Sequence, residues 1–118
     1  MRENDLIRIR HMLDAARDAV SFHAGRSRED LLADRVLRLA LVKCIEIIGE
    51  AASKVADETQ AAHPEIPWGD IVGMRNRLIH VYFDVDLDRL CDTITVDLPP
   101  LISALEAIVS SQRGDSTS

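Results

Sequence analysis

Five side chains that can bind phosphate or transfer protons lie close together late in the chain: Arg75, Asn76, Arg77, His80 and Tyr82. On a helix, Asn76 and His80 stack on one face with Arg75 beside them, whereas Arg77 points elsewhere. Imidazole titrates near neutral pH, and guanidinium matches the oxygens of a phosphate. These groups are the ones that RNA cleavage without a metal needs: His80 as acid or base, Arg75 to bind the phosphate and Asn76 to orient the histidine or the ribose.

The spacing of this cluster also has a plainer explanation. Arginine followed by histidine at such a distance occurs by chance, as Arg17 and His23 show, although that pair lacks the neighbouring Asn and Tyr. On spacing alone, a structural helix end is favoured over an active site. One chain also supplies a single motif histidine, so separate acid and base histidines would require two subunits.

Charge and aromatic content limit how the protein could contact nucleic acid. The chain carries 14 Lys+Arg against 20 Asp+Glu, a net charge of −6, which argues against a nonspecific basic sleeve around phosphates. Its aromatic residues are Phe22, Trp68, Tyr82 and Phe83, too few and too clustered for base-stacking platforms. Any RNA contact is therefore expected to be local.

The length of 118 residues fits a single domain. With 47% hydrophobic residues, such a chain can bury a core without metal or disulfide staples. We expect residues 1–110 to form that domain, an all-α helical bundle, and 111–118 to form a disordered polar tail.

Cysteine usage and hydropathy predict a cytoplasmic protein. Cys44 and Cys91 form no C-x-x-C pair and lie in apolar helical patterns, which is typical of buried, reduced thiols. The first residues include no apolar signal region, and the longest apolar stretch, 36–48, is interrupted by charged residues. We therefore expect no secretion and no membrane span.

Apolar residues recur every three or four positions and strand signals are almost absent, so the sequence predicts an up-and-down bundle of four to five helices. The first helix is expected to stop near Gly25. Ser27 and Asp30 form a capping box that opens a second helix running to about Val55. This second helix has more apolar positions than one face can hold, and a second copy of the chain could cover the excess.

A turn around Pro64 and Pro67 separates the second helix from a third, which is expected over about 69–81. Trp68, at the start of the third helix, is interpreted as a packing anchor rather than a base-stacking group.

The last predicted helix covers 87–108, after a loop and N-cap suggested by Asp84 and Asp86. Pro99 and Pro100 lie in its middle and should kink it.

No metal site and no cofactor are expected. The sequence lacks H-E-x-x-H, a phosphate-binding glycine loop and the Glu-x-x-His pairs of di-iron bundles. Glu46 and Glu50 lie one helical turn apart and could share a cation, but without a histidine partner a solvated helix edge is favoured. The remaining histidines, His11, His23 and His63, are assigned no role.

A longer set of residues extends the cluster: Arg75-Asn76-x-x-x-His80-x-Tyr82, preceded by Trp68 and Met74, with Ile48-Gly49-Glu50-Ala51 on the second helix. Together these residues resemble the HepT-like branch of the HEPN ribonuclease toxins. The likeness covers nearly the whole chain, from Arg2 to about Ile108, and includes the Leu98-Pro99-Pro100-Leu101 kink.

The resemblance implies an α-helical homodimer in which Arg75 and His80, supported by Asn76, form an endoribonuclease site in a cleft between subunits. It also implies a partner, a small nucleotidyltransferase antitoxin that transfers AMP from ATP to Tyr82. Such an adenylate would add bulk and negative charge beside groups that bind RNA phosphate, and would block the nuclease. The expected substrate is RNA, with tRNA and mRNA as candidates.

Two functional interpretations follow. The first is the toxin of a toxin–antitoxin system, a metal-independent ribonuclease silenced by adenylylation of Tyr82. The alternative is a catalytically silent helical partner that binds a nucleotidyltransferase and supplies its substrate or its target Tyr82. Tyr82 could also simply pack against Trp68 or Phe83. A plain dimerising module would leave the cluster without a purpose and is the least supported.

Overall fold

The structure is a computed structural model that describes residues 1–79 and 85–117, with side chains described as far as residue 112. Regular structure in these ranges is helical, which confirms the all-α prediction. In chain order the elements are α1 (Glu3–His23), α2 (Arg28–Ala33), α3 (Arg35–Ser53), α4 (Asp57–Ala62), α5 (Trp68–Leu78), α6 (Leu87–Asp92), a π-helical turn (Thr93–Asp97) and α7 (Leu98–Thr117).

The connection between α1 and α2 follows the prediction. Gly25, with φ of 75°, takes the left-handed conformation that other residues rarely adopt, directly after α1 ends. Ser27 Oγ accepts a hydrogen bond from the Asp30 N–H at 3.1 Å, and the Asp30 carboxylate accepts one from the Ser27 N–H at 2.8 Å. This reciprocal pair confirms the capping box.

The prediction of one helix from Ser27 to about Val55 was wrong, because the chain breaks at Asp34. Asp34 has an extended backbone and its carboxylate accepts a hydrogen bond from the Leu37 N–H at 3.0 Å, so it caps a new helix. Arg38 Nη1 donates to two carbonyls at the end of α2, those of Leu31 and Leu32, at 2.8 and 2.6 Å. These bonds satisfy groups that the break leaves without helical partners.

Between α3 and α5 lies α4, a short helix that the apolar periodicity did not predict. Trp68 is buried and anchors it, since Nε1 donates to the carbonyls of Gln60 and His63 at 3.1 and 3.0 Å. The Gln60 amide in turn donates to the carbonyls of Ala52 and Val55 at the end of α3. This chain of bonds fixes the start of α5 and confirms Trp68 as a packing anchor.

The last helical stretch begins at an N-cap, as predicted: the Asp86 carboxylate accepts a hydrogen bond from the Arg89 N–H at 3.1 Å. Pro99 and Pro100 have no N–H to donate to the preceding turn. Immediately before them the helix widens into the π-helical turn and then continues as α7. The prolines therefore change the helical hydrogen-bond pattern without ending the helix.

The final helix also extends beyond its predicted end. It continues to Thr117, through residues for which the sequence predicted a disordered tail, and no proline follows Pro100 to stop it. By length and composition alone, Leu87–Gln112 could cross a membrane. One face of this stretch is nevertheless buried in the core, as in the core helices of bundles: Leu90, Ile94, Leu98, Leu101 and Leu105.

The core lies between α1, α3, α5 and α7. Helix α1 packs against α3 and α7, and α3 packs against α5 on another side. Fully buried side chains from these helices include Ile9, Met12, Leu41, Ile45, Ile48, Ile71, Leu78 and Leu105. Cys44 is a buried free thiol and Cys91 a half-buried one, and burial raises the pKa of both. Because α3 packs against both α1 and α5, the side of α3 that carries Glu46 and Glu50 has a fixed position relative to α5.

Candidate active site

Helix α5 carries the first three residues of the predicted cluster, Arg75, Asn76 and Arg77. It ends at Leu78, earlier than the predicted end near residue 81. Its inward face is Ile71, Met74 and Leu78, which are buried, whereas Arg75 and Asn76 are exposed in its last turn. The apolar spacing of the helix thus turns Arg75 and Asn76 toward solvent, as a phosphate-binding role requires.

Residues 79 and 85, which flank the segment 80–84, lie together at the end of α5. An antiparallel bridge joins Ile79 to Val85, and the Asp86 N–H donates to the Leu78 carbonyl at 2.8 Å. Both ends of the intervening segment are therefore fixed beside the last turn of α5.

Four residues with predicted roles fall in that segment and lie outside the described residues. They are His80, the predicted acid or base, Tyr82, the predicted AMP acceptor, Phe83, a suggested packing partner of Tyr82, and Asp84, a predicted loop residue. Their roles stay predictions.

Arg75 forms an ion pair with Glu46 of α3. Its Nε donates to Glu46 Oε1 at 2.9 Å, and the side chains are 48% and 31% exposed. The second carboxylate oxygen of Glu46 lies 3.9 Å from Lys43 Nζ. The helical spacing predicts a solvated helix edge for Glu46, but the structure places its carboxylate on Arg75. The two residues are 29 positions apart, so no local pattern could have signalled the contact.

Close packing of α3 on α5 makes this pair possible. A Cβ added to Gly49 would lie 3.2 Å from the Ile71 carbonyl oxygen and 3.6 Å from that of Val72, so glycine permits the approach. Glu46 lies one turn before Gly49 on α3, and Arg75 lies one turn after Ile71 on α5. The glycine contact therefore sets the distance that Glu46 and Arg75 have to bridge.

A cavity of about 340 Å³ opens beside this pair, between α3 and α5. Its lining consists of Glu46, Gly49, Glu50, Ser53, Lys54, Val72 and Arg75. Lys54 Nζ lies 3.2 Å from Glu50 Oε1, so a second ion pair borders the same space. The half-exposed guanidinium of Arg75 borders this cavity, where it can contact an anionic group such as a phosphate.

Arg77 points to the other side of α5, as predicted. Its Nη2 donates to the Asp70 carbonyl at 2.6 Å, and it lines a separate cavity of about 530 Å³. Arg75 and Arg77 therefore do not form one cationic site. Over the described part of the chain, no group of three or more His, Cys, Asp or Glu side chains could hold a metal ion.

Comparison with known proteins assigns the chain to a family. A family model described as "Ribonuclease HepT-like" matches residues 12–108, which include Glu46, Gly49 and Arg75. The chain belongs to the HepT-like ribonuclease family. This confirms the resemblance drawn from the motif.

Relatives of this HepT-like chain carry ribonuclease names. "Probable ribonuclease HepT" from Thermococcus cleftensis is 40% identical over 80 residues, covering 68% of this chain and 73% of that protein. A "Putative RNase" from Caldanaerobacter subterraneus subsp. tengcongensis is 34% identical over 105 residues, covering 89% and 94%. Another "Putative RNase", from Methanocaldococcus jannaschii, is 30% identical over 103 residues, covering 87% and 85%. No solved structure matches the chain.

Proposed function

We propose that this HepT-like protein is a metal-independent endoribonuclease that acts in the cytoplasm as the toxin of a toxin–antitoxin system. The observation that carries the proposal is the placement of Arg75. Its guanidinium is half-exposed at the cavity between α3 and α5 and is held through Nε by Glu46. That bond does not involve the two terminal nitrogens, whose fork matches two phosphate oxygens.

Cleavage would proceed by attack of a ribose 2′-oxygen on the adjacent phosphorus. His80 takes the 2′-hydroxyl proton or gives a proton to the leaving 5′-oxygen, whose bond to phosphorus breaks. Arg75 stabilises the negative charge that develops on the phosphoryl oxygens. Asn76, next to Arg75 on the exposed side of α5, orients His80 or the ribose.

The second part of the proposal is a homodimer with a composite site. One chain supplies one motif histidine, so an acid and a base histidine come together only when two motifs meet. Exposed apolar side chains support self-association: Leu32 on α2 and Val36 and Leu39 on α3 are 60%, 77% and 55% exposed. Apolar groups that the chain does not bury by itself favour contact with another protein surface.

The third part is regulation through Tyr82 by a nucleotidyltransferase antitoxin. Transfer of AMP from ATP joins the phosphorus of the adenylate to the tyrosine oxygen and releases pyrophosphate. The added charge lies two residues from His80 in sequence and would repel RNA phosphate. Tyr82→Phe removes the acceptor oxygen, so the partner should neither label nor silence this variant. Equal labelling and silencing of wild type and variant would exclude Tyr82.

The central experiment is cleavage of total RNA and tRNA in EDTA by protein that mass spectrometry shows to be free of adenylate. Arg75→Ala and His80→Ala are compared with wild type after circular dichroism has shown that they fold. Cleavage that both variants lose would establish the metal-independent ribonuclease and its site. Absence of cleavage by the unmodified dimer would favour the alternative, a catalytically silent partner that supplies Tyr82 to the nucleotidyltransferase.

A further inference from the structure

We propose that Glu46 is a positioning residue, which holds the guanidinium of Arg75 in the orientation that cleavage requires. The inference rests on the proposed ribonuclease function and adds to the site a residue from a helix outside the motif. The inference is based on one contact between α5 and α3, the 2.9 Å hydrogen bond from Arg75 Nε to Glu46 Oε1.

Arg75 needs such a restraint because packing does not provide one. Its side chain is 48% exposed, and a long flexible side chain at the surface samples many rotamers. A bond at Nε restrains the direction of the Nε–H, and with it the orientation of the planar group to which Nε belongs. The edge formed by the two terminal nitrogens is then directed away from Glu46, where it can meet a phosphate.

Glu46 is itself held between two cations. One carboxylate oxygen bonds to Arg75 and the other lies 3.9 Å from Lys43 Nζ. Two cations and one anion leave this trio with a net charge of +1, so Glu46 orients Arg75 without cancelling the local attraction for phosphate. The Gly49 contact with the Ile71 carbonyl keeps the two helices at the distance that the bond spans.

If Glu46 only stabilised the fold, its loss should affect RNA cleavage no more than the loss of another exposed ion pair. The chain contains a matched ion pair for this comparison. Arg17 Nη2 bonds to Glu106 Oε2, also at 2.9 Å, and joins α1 to α7 with 51% and 48% exposed side chains. Exposed ion pairs contribute little to stability. Removing either Glu should therefore leave the fold intact, and only the loss of Glu46 should affect cleavage.

The test compares Glu46→Ala, Glu46→Gln and Glu106→Ala in steady-state RNA cleavage. Glu46→Ala should lower kcat about tenfold without raising KM, because small misplacement of a group that stabilises the transition state is costly. Glu46→Gln keeps an oxygen that accepts the Nε–H and should stay within about threefold of wild type. Glu106→Ala should match wild type. Equal activity of Glu46→Ala and Glu106→Ala, or equal losses in Glu46→Ala and Glu46→Gln, would overturn the inference.

A second readout does not depend on activity. The ¹H–¹⁵N signal of Arg75 Nε, assigned through its disappearance in Arg75→Lys, should exchange slowly with water in wild type and Glu46→Gln. In Glu46→Ala it should exchange rapidly. An unchanged signal in Glu46→Ala overturns the inference even if the protein cleaves RNA. Conversely, a wild type that does not cleave RNA contradicts the proposed function, while the Nε signal still decides whether Glu46 orders Arg75.

Discussion

Among single residues, the buried carboxylate of Asp5 makes a defined contribution to stability. Asp5 is 4% exposed on α1. It accepts hydrogen bonds from the Thr59 hydroxyl at 2.6 Å and from the Ala56 N–H at 3.1 Å, at the start of α4. Burial raises the pKa of Asp5, but these two hydrogen bonds and the charge of Arg2 together outweigh burial and bring its pKa below the ordinary value of 3.8. The charged form is therefore favoured in the folded protein.

Replacing Asp5 with Ala should lower the free energy of unfolding by about 2 kcal/mol at pH 7, because two hydrogen bonds to a charged group are lost. The contribution of a carboxylate with a depressed pKa is complete above the unfolded pKa of about 3.9 and is lost as pH falls through the folded pKa. The difference between wild type and Asp5→Ala in urea unfolding should thus shrink below pH 4. Asp14→Ala, an exposed change on the same helix, is the control, and a pH-independent difference contradicts the prediction.

Whether a residue of the candidate site could be predicted depends on how far away in the sequence its partner lies. The exposure of Arg75 and Asn76 could be predicted because it depends on the apolar spacing within one helix. Glu46 could not, because its partner is 29 positions away and the contact depends on how two helices pack. Gly49 belongs to the Ile48-Gly49-Glu50-Ala51 motif, but its close approach to the Ile71 carbonyl is visible only in the folded chain.

At the scale of helices, the Asp34 cap stabilises the start of α3 after the break that follows α2. Asp34→Ala removes the acceptor of the Leu37 N–H and should lower the free energy of unfolding by about 1 kcal/mol, the usual contribution of an N-cap. Asp34→Asn retains a capping oxygen and should lose little. Chemical denaturation of the three proteins measures this, and equal losses in both variants would show that the charge of Asp34, rather than its capping oxygen, is responsible.

The contact between α3 and α5 gives a second prediction at this scale. Gly49→Ala places a Cβ 3.2 Å from a backbone carbonyl that helix α5 holds rigidly. The strain of overpacking, about 1 to 3 kcal/mol, should exceed the gain of about 1 kcal/mol from the helix propensity of alanine. Separation of the helices should also weaken the Glu46–Arg75 bond, so RNA cleavage should fall.

The control for Gly49→Ala is Gly69→Ala. Gly69 lies in α5 with no atom within 4 Å of the added Cβ, so this variant should be stabilised by about 0.5 to 1 kcal/mol. Thermal unfolding and RNA cleavage are measured for both variants. A Gly49→Ala protein as stable and as active as Gly69→Ala would contradict the prediction, because it would show that α5 moves to accommodate the added Cβ without loss of stability or activity.

Helices were predictable where a local signal marks them. The capping box at Ser27 and the cap at Asp86 are local, and both are confirmed. The break at Asp34 was missed because apolar spacing continues across it, and α4 was missed because a six-residue helix has too few turns to show a stripe. The π-helical turn before Pro99 depends on how a whole helix accommodates missing N–H donors.

For the whole molecule, the apolar periodicity was sufficient to predict an all-α fold, because most helices bury one stripe in a common core. Assembly is different, since neither periodicity nor the structure of one chain specifies how a second chain binds. The composite site of the proposed dimer is therefore the feature that most requires an experiment on the assembled protein.

Mixed dimers provide that experiment. When wild-type and His80→Ala subunits are mixed in equal amounts and allowed to exchange, about one quarter of the dimers contain two wild-type subunits. If each site needs both motifs, RNA cleavage should fall to about one quarter of the value for wild type alone at the same total concentration. Independent sites would leave about one half. Co-purification of two different tags verifies that subunits have exchanged, and sedimentation velocity identifies the active species. An active monomer, or a loss in direct proportion to the mutant fraction, would exclude the composite site.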